Sequence, residues 1–272
     1  MEILPVALQI YSVRDEASRD FAGTLKEIKQ MGYEGIEFAG FHGRDASEVK
    51  KMIDDAGLIA VSGHVPFDAF VENAQKVFSD YGSLGCKYVA IPWLDGKIAP
   101  GGEDFESILP KIRQIGEEAT SAGLTLLYHN HDFEFRKIDG VYGLDVLYDS
   151  VPAKFLATQV DTCWVKVAGL DPAEYVRKYK GRAPLVHLKD FIMGDKVSGN
   201  LYELIGSENS GGRKEGFEFR PLGQGVQDIP KILEACVYAG AEWVIVEQDE
   251  SVTCSPMEAA RASRAYLKSL GW

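Results

Sequence analysis

The chain has no Cys-x-x-Cys pair, and its four cysteines, Cys86, Cys163, Cys236 and Cys254, are scattered. That spacing excludes a zinc ribbon and a thioredoxin-like redox site, and the thiols are expected to pack as small hydrophobes. No Gly-x-Ser-x-Gly elbow occurs and no cysteine has an evident basic neighbour, so covalent nucleophilic catalysis has little support. No apolar run reaches the roughly 18 residues that a membrane span needs. The opening stretch, MEILPVALQIYSVRDE, carries no basic leader, and its apolar part stops at Arg14 and Asp15; a reduced, cytoplasmic setting is expected. Positive charge is also short. With 29 Lys and Arg against 41 Asp and Glu the formal charge is −12 and the pI is near 5.0, which opposes sequence-independent binding to nucleic acid or anionic membranes. The expected partner is a small molecule, and a homo-oligomer is left open.

What is present is a regular alternation. Short apolar runs lie near Val6–Tyr11, Gly35–Ala39, Ala60–Val65, Tyr88–Trp93, Thr125–His131, Phe155–Asp161, Leu185–Lys189 and Trp243–Glu247. Between them Thr24–Met31, Ala46–Ala56, Ala69–Leu84, Phe105–Ala122 and Ile229–Ala239 carry apolar residues at three- and four-residue spacing, the pattern of amphipathic helices. Gly32, Gly57, Gly85, Gly123 and Gly240 each follow a helical stretch and precede a run, as left-handed helix stops do. Asp45 before Ala46, and Ser255 before Pro256 with Glu258 three places on, are expected N-caps. Eight strand–helix units in 272 residues match the roughly 250 residues of a parallel-strand barrel. The expectation is one domain over residues 1–272, an α/β chain closed as a (β/α)8 TIM barrel, since an open eight-stranded sheet would need a reversal of strand order that nothing signals. From Phe191 to Gln224 the helical period is lost. A segment of that length is expected on the functional face or as a lid, with a plain surface loop as the alternative.

In such a barrel the functional groups sit at the C-terminal ends of the strands. The second run ends at Glu37, the third at His64 and the fifth at Tyr128-His129-Asn130-His131, with Glu134 beyond. The sixth ends at Gln159 and Asp161, the seventh at His187, Lys189 and Asp190, and the eighth at Glu247, Gln248 and Asp249. Alternate side chains share a face, so His129 points with His131, Gln159 with Asp161, and His187 with Lys189. Carboxylates with imidazole and no thiolate suit one divalent ion, Mn2+, Mg2+, Co2+ or Zn2+, rather than a structural zinc. Any one of these residues alone is more often a hydrogen-bonded structural histidine or a helix-capping acid; the constellation is what points to a site. Glu37, His64 and His129 are candidates to bind substrate. Trp93 and Trp164, at strand ends, could stack on a sugar ring or simply pack, and Tyr11, Phe67 and Phe70 carry the same two readings. Gly223-Gln224-Gly225 lacks the third glycine of a dinucleotide fingerprint; it is expected to bring its backbone near the site or to form a turn.

Several segments resemble a known family. They are Leu8-Gln9-Ile10-Tyr11-Ser12, Gly35-Ile36-Glu37, Tyr128-His129-Asn130-His131-Asp132-Phe133-Glu134-Phe135, Val160-Asp161-Thr162-Cys163-Trp164, His187-Leu188-Lys189-Asp190 and Val246-Glu247-Gln248-Asp249. Together they resemble the sugar phosphate isomerase/epimerase family of the xylose-isomerase-like TIM barrel superfamily, and the likeness runs through nearly the whole chain. The resemblance implies one metal held by Glu134, Asp161, His187 and Glu247. Many relatives carry a glutamate on the fifth strand itself, where this chain has His129-Asn130-His131, so His131 is the substitute ligand should Glu134 point away. The implied reaction is isomerisation or epimerisation of a small sugar or keto sugar, phosphorylated or not, through an enediolate, with Glu134 and Glu247 as base and acid. The alternative outcome is loss of a β-substituent from an inosose or a 3-keto glycoside, a lyase or dehydratase reaction with His131 or Lys189 as the acid. Two rivals share the fold. A DNA-repair endonuclease is disfavoured by only five histidines and by the negative charge, and a non-catalytic sugar-binding protein is favoured only if the expected ligands lie too far apart to share an ion.

Overall fold

The computed structural model describes residues 3–194 and 216–272. In chain order β1 (Val6–Gln9) leads through a 3-10 turn (Ile10–Val13) to α1 (Arg14–Arg19) and α2 (Phe21–Met31). Then follow β2 (Gly35–Phe38), α3 (Ala46–Ala56), β3 (Ile59–Gly63), α4 (Phe67–Leu84), β4 (Tyr88–Ile91) and α5 (Phe105–Ser121). After β5 (Thr125–His129) come a second 3-10 turn (Phe133–Phe135), a small hairpin of β6 (Lys137–Ile138) and β7 (Val141–Tyr142), and α6 (Gly143–Ser150). The chain continues through β8 (Ala157–Asp161), α7 (Thr162–Val167), α8 (Pro172–Lys178), β9 (Leu185–Leu188) and β10 (Asp190–Met193). It ends with β11 (Phe217–Arg220), α9 (Ile229–Ala239), β12 (Trp243–Val246) and α10 (Pro256–Ser269). Eight strands form one sheet in the order β3-β2-β1-β12-β9-β8-β5-β4, paired in parallel. Its two edges meet where His64 bridges Ala90 and Val65 N donates to Ala90 O at 2.9 Å, so the expected barrel is nearly closed. Among the described residues no helix is long and apolar enough to cross a membrane.

Strand alternation sorts the side chains into two cores. Leu8, Ile36, Leu126, Val160, Val186 and Val244 belong to the core shared with the helices. Ala7, Val61, Tyr88, Ala90, Leu127, Ala157, Leu185 and Ile245 form a separate cluster that closes the barrel interior as an apolar floor. A large aliphatic side chain buried in either core contributes roughly 1.5–3 kcal/mol. Two residues further along the inward face stand Gln9, His129, Gln159, His187 and Glu247, all buried. With the floor keeping water out from below, these polar groups must satisfy one another.

The glycine stops and the caps at Asp45 and Ser255 fall where the sequence places them, whereas α2 and α4 begin before the helical period does, at Phe21 and Phe67. All five glycine stops adopt positive φ, as at Gly57 (φ 67°) where α3 ends, a conformation that a Cβ would strain. Asp45 and Ser255 each close a capping box: the Asp45 carboxylate accepts from Glu48 N at 2.9 Å, Glu48 accepts from Asp45 N at 3.1 Å, and Ser255 with Glu258 repeats the exchange. Seven of the eight barrel strands stop one or two residues short of the apolar runs, β5 at His129 for example, because their polar ends turn into loops at the mouth; β8 alone of the eight reaches the end of its run, Asp161.

Of the stretch from Phe191 to Gln224, residues 195–215 lie outside the described residues. Its two ends pair as an antiparallel ribbon, β10 with β11, Asp190 opposite Arg220 and Met193 opposite Phe217. Phe191, Phe217 and Phe219 pack with Cys163 and Trp164 in their own buried cluster, which seats the ribbon against α7. The Gly223-Gln224-Gly225 backbone wraps a side chain of the protein itself: the Asp190 carboxylate accepts from the backbone N–H groups of Phe191, Gly223, Gly225 and Gln227 at 2.9–3.1 Å. A Cβ on Gly225 would lie 2.1 Å from Asp190 Oδ1. Asp190→Asn turns amide hydrogens toward these donors, and Gly225→Ala forces the carboxylate out. Each is expected to lower stability by roughly 2–4 kcal/mol in urea unfolding; a loss below about 0.5 kcal/mol would show that the nest carries no weight.

Candidate active site

The polar layer above the floor is organised around Glu37, which is fully buried. Its Oε1 accepts from Gln159 Nε2 at 2.6 Å, and its Oε2 accepts from Gln9 Nε2 at 2.8 Å and His187 Nε2 at 2.7 Å, with His64 Nε2 3.2 Å away. Burial alone would raise this carboxyl; the charges of His64 and His187, with the hydrogen bonds from His187 and Gln159, outweigh it and hold Glu37 down at about 2. With its amide nitrogen committed to Glu37, Gln159 turns its oxygen to His64 Nε2 at 2.7 Å and His129 Nδ1 at 3.1 Å. His129 therefore carries its proton on Nδ1 and directs the Nε2 lone pair toward Asp161 Oδ2, 3.6 Å away. Burial, then the neighbouring His187 and His64, hold His129 well below the usual imidazole range.

Asp161 caps α7, its Oδ1 accepting from Cys163 N at 2.8 Å and Trp164 N at 3.3 Å. Its Oδ2 is buried and ion-paired with Lys189 Nζ at 3.0 Å. The same ammonium lies 2.8 Å from Glu247 Oε2 and 3.1 Å from Asp249 Oδ2, while His187 Nδ1 reaches Glu247 Oε2 at 2.9 Å. Burial would lower His187, but Glu37 and Glu247 raise it to about 10. Burial likewise opposes the charge on Lys189, which Asp161, Asp249 and Glu247 hold well above the usual lysine range. Glu247, which burial would raise, is held well below the carboxylate range by Lys189 and His187. Asp249 is pushed up to about 7 by burial, with Lys189 pulling against it and the charges of Glu247 and Asp161 adding to it.

His129, Asp161, His187 and Glu247 each offer one ligand atom, all within 4.8 Å of one another. Two imidazoles and two carboxylates are the mixed nitrogen and oxygen donor set that fits a divalent cation. A carboxylate such as Glu37 on the second ring nitrogen of His187 is the usual way a ligating histidine is oriented. Glu37, Asp161, Glu247 and Asp249 also set four carboxylates against the two cations Lys189 and His187.

A cavity of about 630 Å³ opens at the mouth, and His64, Trp93, His129, His131, Lys189, Glu247 and Asp249 are on its wall. Glu37 lies in the layer below it, and Trp164 is enclosed by His131, Phe217 and Phe219. Three of the four residues expected to hold a metal come together. Glu134 does not join them: in the turn after β5 its Oε1 accepts from Tyr128 Oη and its Oε2 from His131 N, both at 2.8 Å. The residue of that strand that meets Asp161, His187 and Glu247 is His129, neither Glu134 nor His131, because His129 is the inward end of β5 two places beyond Leu127 in the floor. Gln9 and Asp249, not singled out as site residues, complete the arrangement; each stands two places beyond an inward residue, Ala7 and Glu247, and strict alternation would have found both.

A parallel (β/α)8 barrel with imidazoles and carboxylates gathered at its C-terminal mouth defines the class. The chain belongs to the xylose isomerase-like TIM barrel family, whose sequence profile matches residues 25–270. It is 26% identical over 271 residues to the inosose dehydratase of Clostridium perfringens, an overlap of 91% of this chain and 89% of that one. A sugar phosphate isomerase/epimerase from Parabacteroides distasonis superposes with a TM-score of 0.78 at 22% identity, over 99% of this chain and 95% of that one. L-ribulose 3-epimerase superposes with a TM-score of 0.71 at 17% identity, over 98% and 94%. These two structures share the fold.

The position of Glu134 has a measurable consequence. Burial pushes its carboxyl from 4.5 up to about 8, against the hydrogen bonds from Tyr128 and the His131 backbone. Between those values the folded chain keeps a proton that the unfolded chain has released, so this group makes stability fall as pH rises through the interval. Glu134→Gln should flatten that decline, whatever it does to absolute stability. Urea unfolding of both proteins at about pH 5 and about pH 8 reads the difference, and parallel slopes would show that Glu134 is ionised in the fold.

Proposed function

We propose that the chain is a metal-dependent enzyme that removes a proton from the carbon beside the carbonyl of a small keto sugar or keto polyol, its foremost reaction being loss of water from an inosose. The observation that carries this is the meeting of His129, Asp161, His187 and Glu247 beside a cavity walled by Lys189 and His131. A divalent ion held there, manganese being the first candidate for this mixed nitrogen and oxygen set, would polarise the carbonyl and stabilise the negative charge that develops on its oxygen. Glu247, an ionised carboxylate at the cavity wall, accepts the α-proton. The electron pair left behind makes the substrate an enediolate, and its return expels the β-hydroxyl, which takes a proton from Lys189 and departs as water. Lys189 is preferred to His131 as the acid because burial, with the adjacent Lys189 charge, holds His131 neutral. His64 and Trp93 on the cavity wall are the candidates to hold the hydroxyl groups and the ring face of the substrate. Free cysteines throughout suit a reducing cytoplasm.

Two facts support elimination over proton return. The similarity to an inosose dehydratase spans 91% of the chain, and the hydrogen bonds of Glu134 to Tyr128 and His131 N keep from the cavity the second glutamate that epimerisation through two glutamates requires. Isomerisation or epimerisation is the second reading, favoured by the shared fold with an isomerase/epimerase; it begins with the same proton abstraction and differs in where the proton returns.

With Mn2+ and an inosose in deuterated buffer, NMR should show exchange at the α-carbon and a dehydrated product. An isomeric ketose or epimer formed from a keto sugar would select the second reading, and no exchange across a panel of inososes and keto sugars would reject both. Substitutions should separate by phenotype. Asp161→Ala and His187→Ala are expected to lose bound metal and activity together, with partial rescue by excess ion. Glu247→Gln keeps an oxygen donor, so metal content should persist while kcat falls by roughly 10²–10⁴-fold. Near-normal kcat in that variant would remove Glu247 from proton transfer.

A further inference from the structure

We infer that Lys189 is a resident cation of the metal site, holding the Asp161 and Glu247 oxygens until a divalent ion displaces its ammonium onto Asp249. This rests on the metal-dependent reading above and concerns how the protein admits the ion. Asp161 has one oxygen to offer, because Oδ1 is committed to the Cys163 and Trp164 N–H groups, and Lys189 Nζ already stands 3.0 Å from the remaining Oδ2. It stands 2.8 Å from Glu247 Oε2 as well. A divalent ion takes carboxylate oxygens at about 2.0–2.2 Å, and an ammonium sharing those oxygens would be pressed against it with no water between them. The lysine cannot leave for solvent. It is 1% exposed, and its Nζ lies over the rings of Trp164 and Phe219 at 5.6 and 5.8 Å. Its remaining partner is Asp249 Oδ2 at 3.1 Å, a carboxylate outside the four-residue donor set and on the cavity wall.

The ion therefore enters against a competing charge, and its entry turns that charge toward the cavity, where a polyol hydroxyl would meet it. Lys189 thus lowers metal affinity while neutralising the empty site, and Asp249 is a positioning residue that makes the exchange feasible.

The test is Mn2+ affinity, by calorimetry or by competition with a chelator, on the whole chain as wild type, Lys189→Met, Asp249→Asn and the double variant. Lys189→Met, of similar length but uncharged, should bind Mn2+ about 10–100-fold more tightly, and Asp249→Asn should bind it more weakly. The effect of Asp249→Asn should largely vanish once Lys189 is Met, whereas simple loss of a negative charge would weaken binding equally in both backgrounds. Unchanged or weaker Mn2+ binding by Lys189→Met, or an equal Asp249 effect in both backgrounds, would overturn the inference and leave the metal-dependent reading standing. No Mn2+ or Zn2+ binding by any of the four proteins would remove that reading and the inference with it. Should Lys189→Met fail to fold without metal, Lys189→Gln, which keeps a polar donor without the charge, replaces it.

Discussion

A carboxylate sealed from water destabilises a fold unless its oxygens are hydrogen-bonded, and Glu37 meets that condition by drawing on residues from four other strands. Gln9 of β1, His64 beyond β3, Gln159 of β8 and His187 of β9 all come within hydrogen-bonding distance of it. A buried polar group left unpaired costs about 1–3 kcal/mol, and more when charged, so the relative heights of five strands are coupled through one side chain. The effect passes upward. The Gln159 amide, oriented by Glu37, sets the tautomer of His129 and turns its free nitrogen to Asp161, while His187, held by Glu37 on one side, presents its other nitrogen to Glu247.

The charges above this layer are packed densely. Asp161, Glu247 and Asp249 converge on the Lys189 ammonium within 3.1 Å, with the apolar floor of Ala7, Leu127, Ala157, Leu185 and Ile245 beneath. Buried ion clusters of this kind seldom add net stability, because desolvation offsets much of the Coulomb gain. A carboxylate and a cation side by side, out of water and next to a cavity, are what the proposed proton transfer would use.

Main-chain hydrogen bonds hold the cluster in place from outside. Asp161 is fixed as the cap of α7, and Asp190, the residue after Lys189, is nested in four backbone N–H groups from the β10 start and the glycine loop before α9. Both anchors also meet the ribbon of β10 and β11, whose Phe217 and Phe219 pack on Trp164. The described ends of the segment that breaks the helical period thus support the strand ends that carry the candidate site.

The eight strand–helix units were legible in the sequence because the signals that define them are local. A period of two in the runs, a helical period between them, glycine stops such as Gly57 and the capping boxes at Asp45 and Ser255 each depend on the backbone of a few residues. The polar strand ends were legible for a related reason: parallel strands in a barrel deliver all their C-terminal ends to one mouth, so His64, Asp161, His187 and Glu247 had to share it. Which of them would touch was decided only by the tertiary structure. Glu134 curls back onto Tyr128 and the His131 backbone in a 3-10 turn whose direction no periodicity encodes, and His129 meets Asp161 and His187 instead. Those meetings follow from register between strands far apart in sequence, His129 opposite Gln159 and Asp161 opposite His187. Register is set when the whole barrel closes and its buried polar groups find their partners.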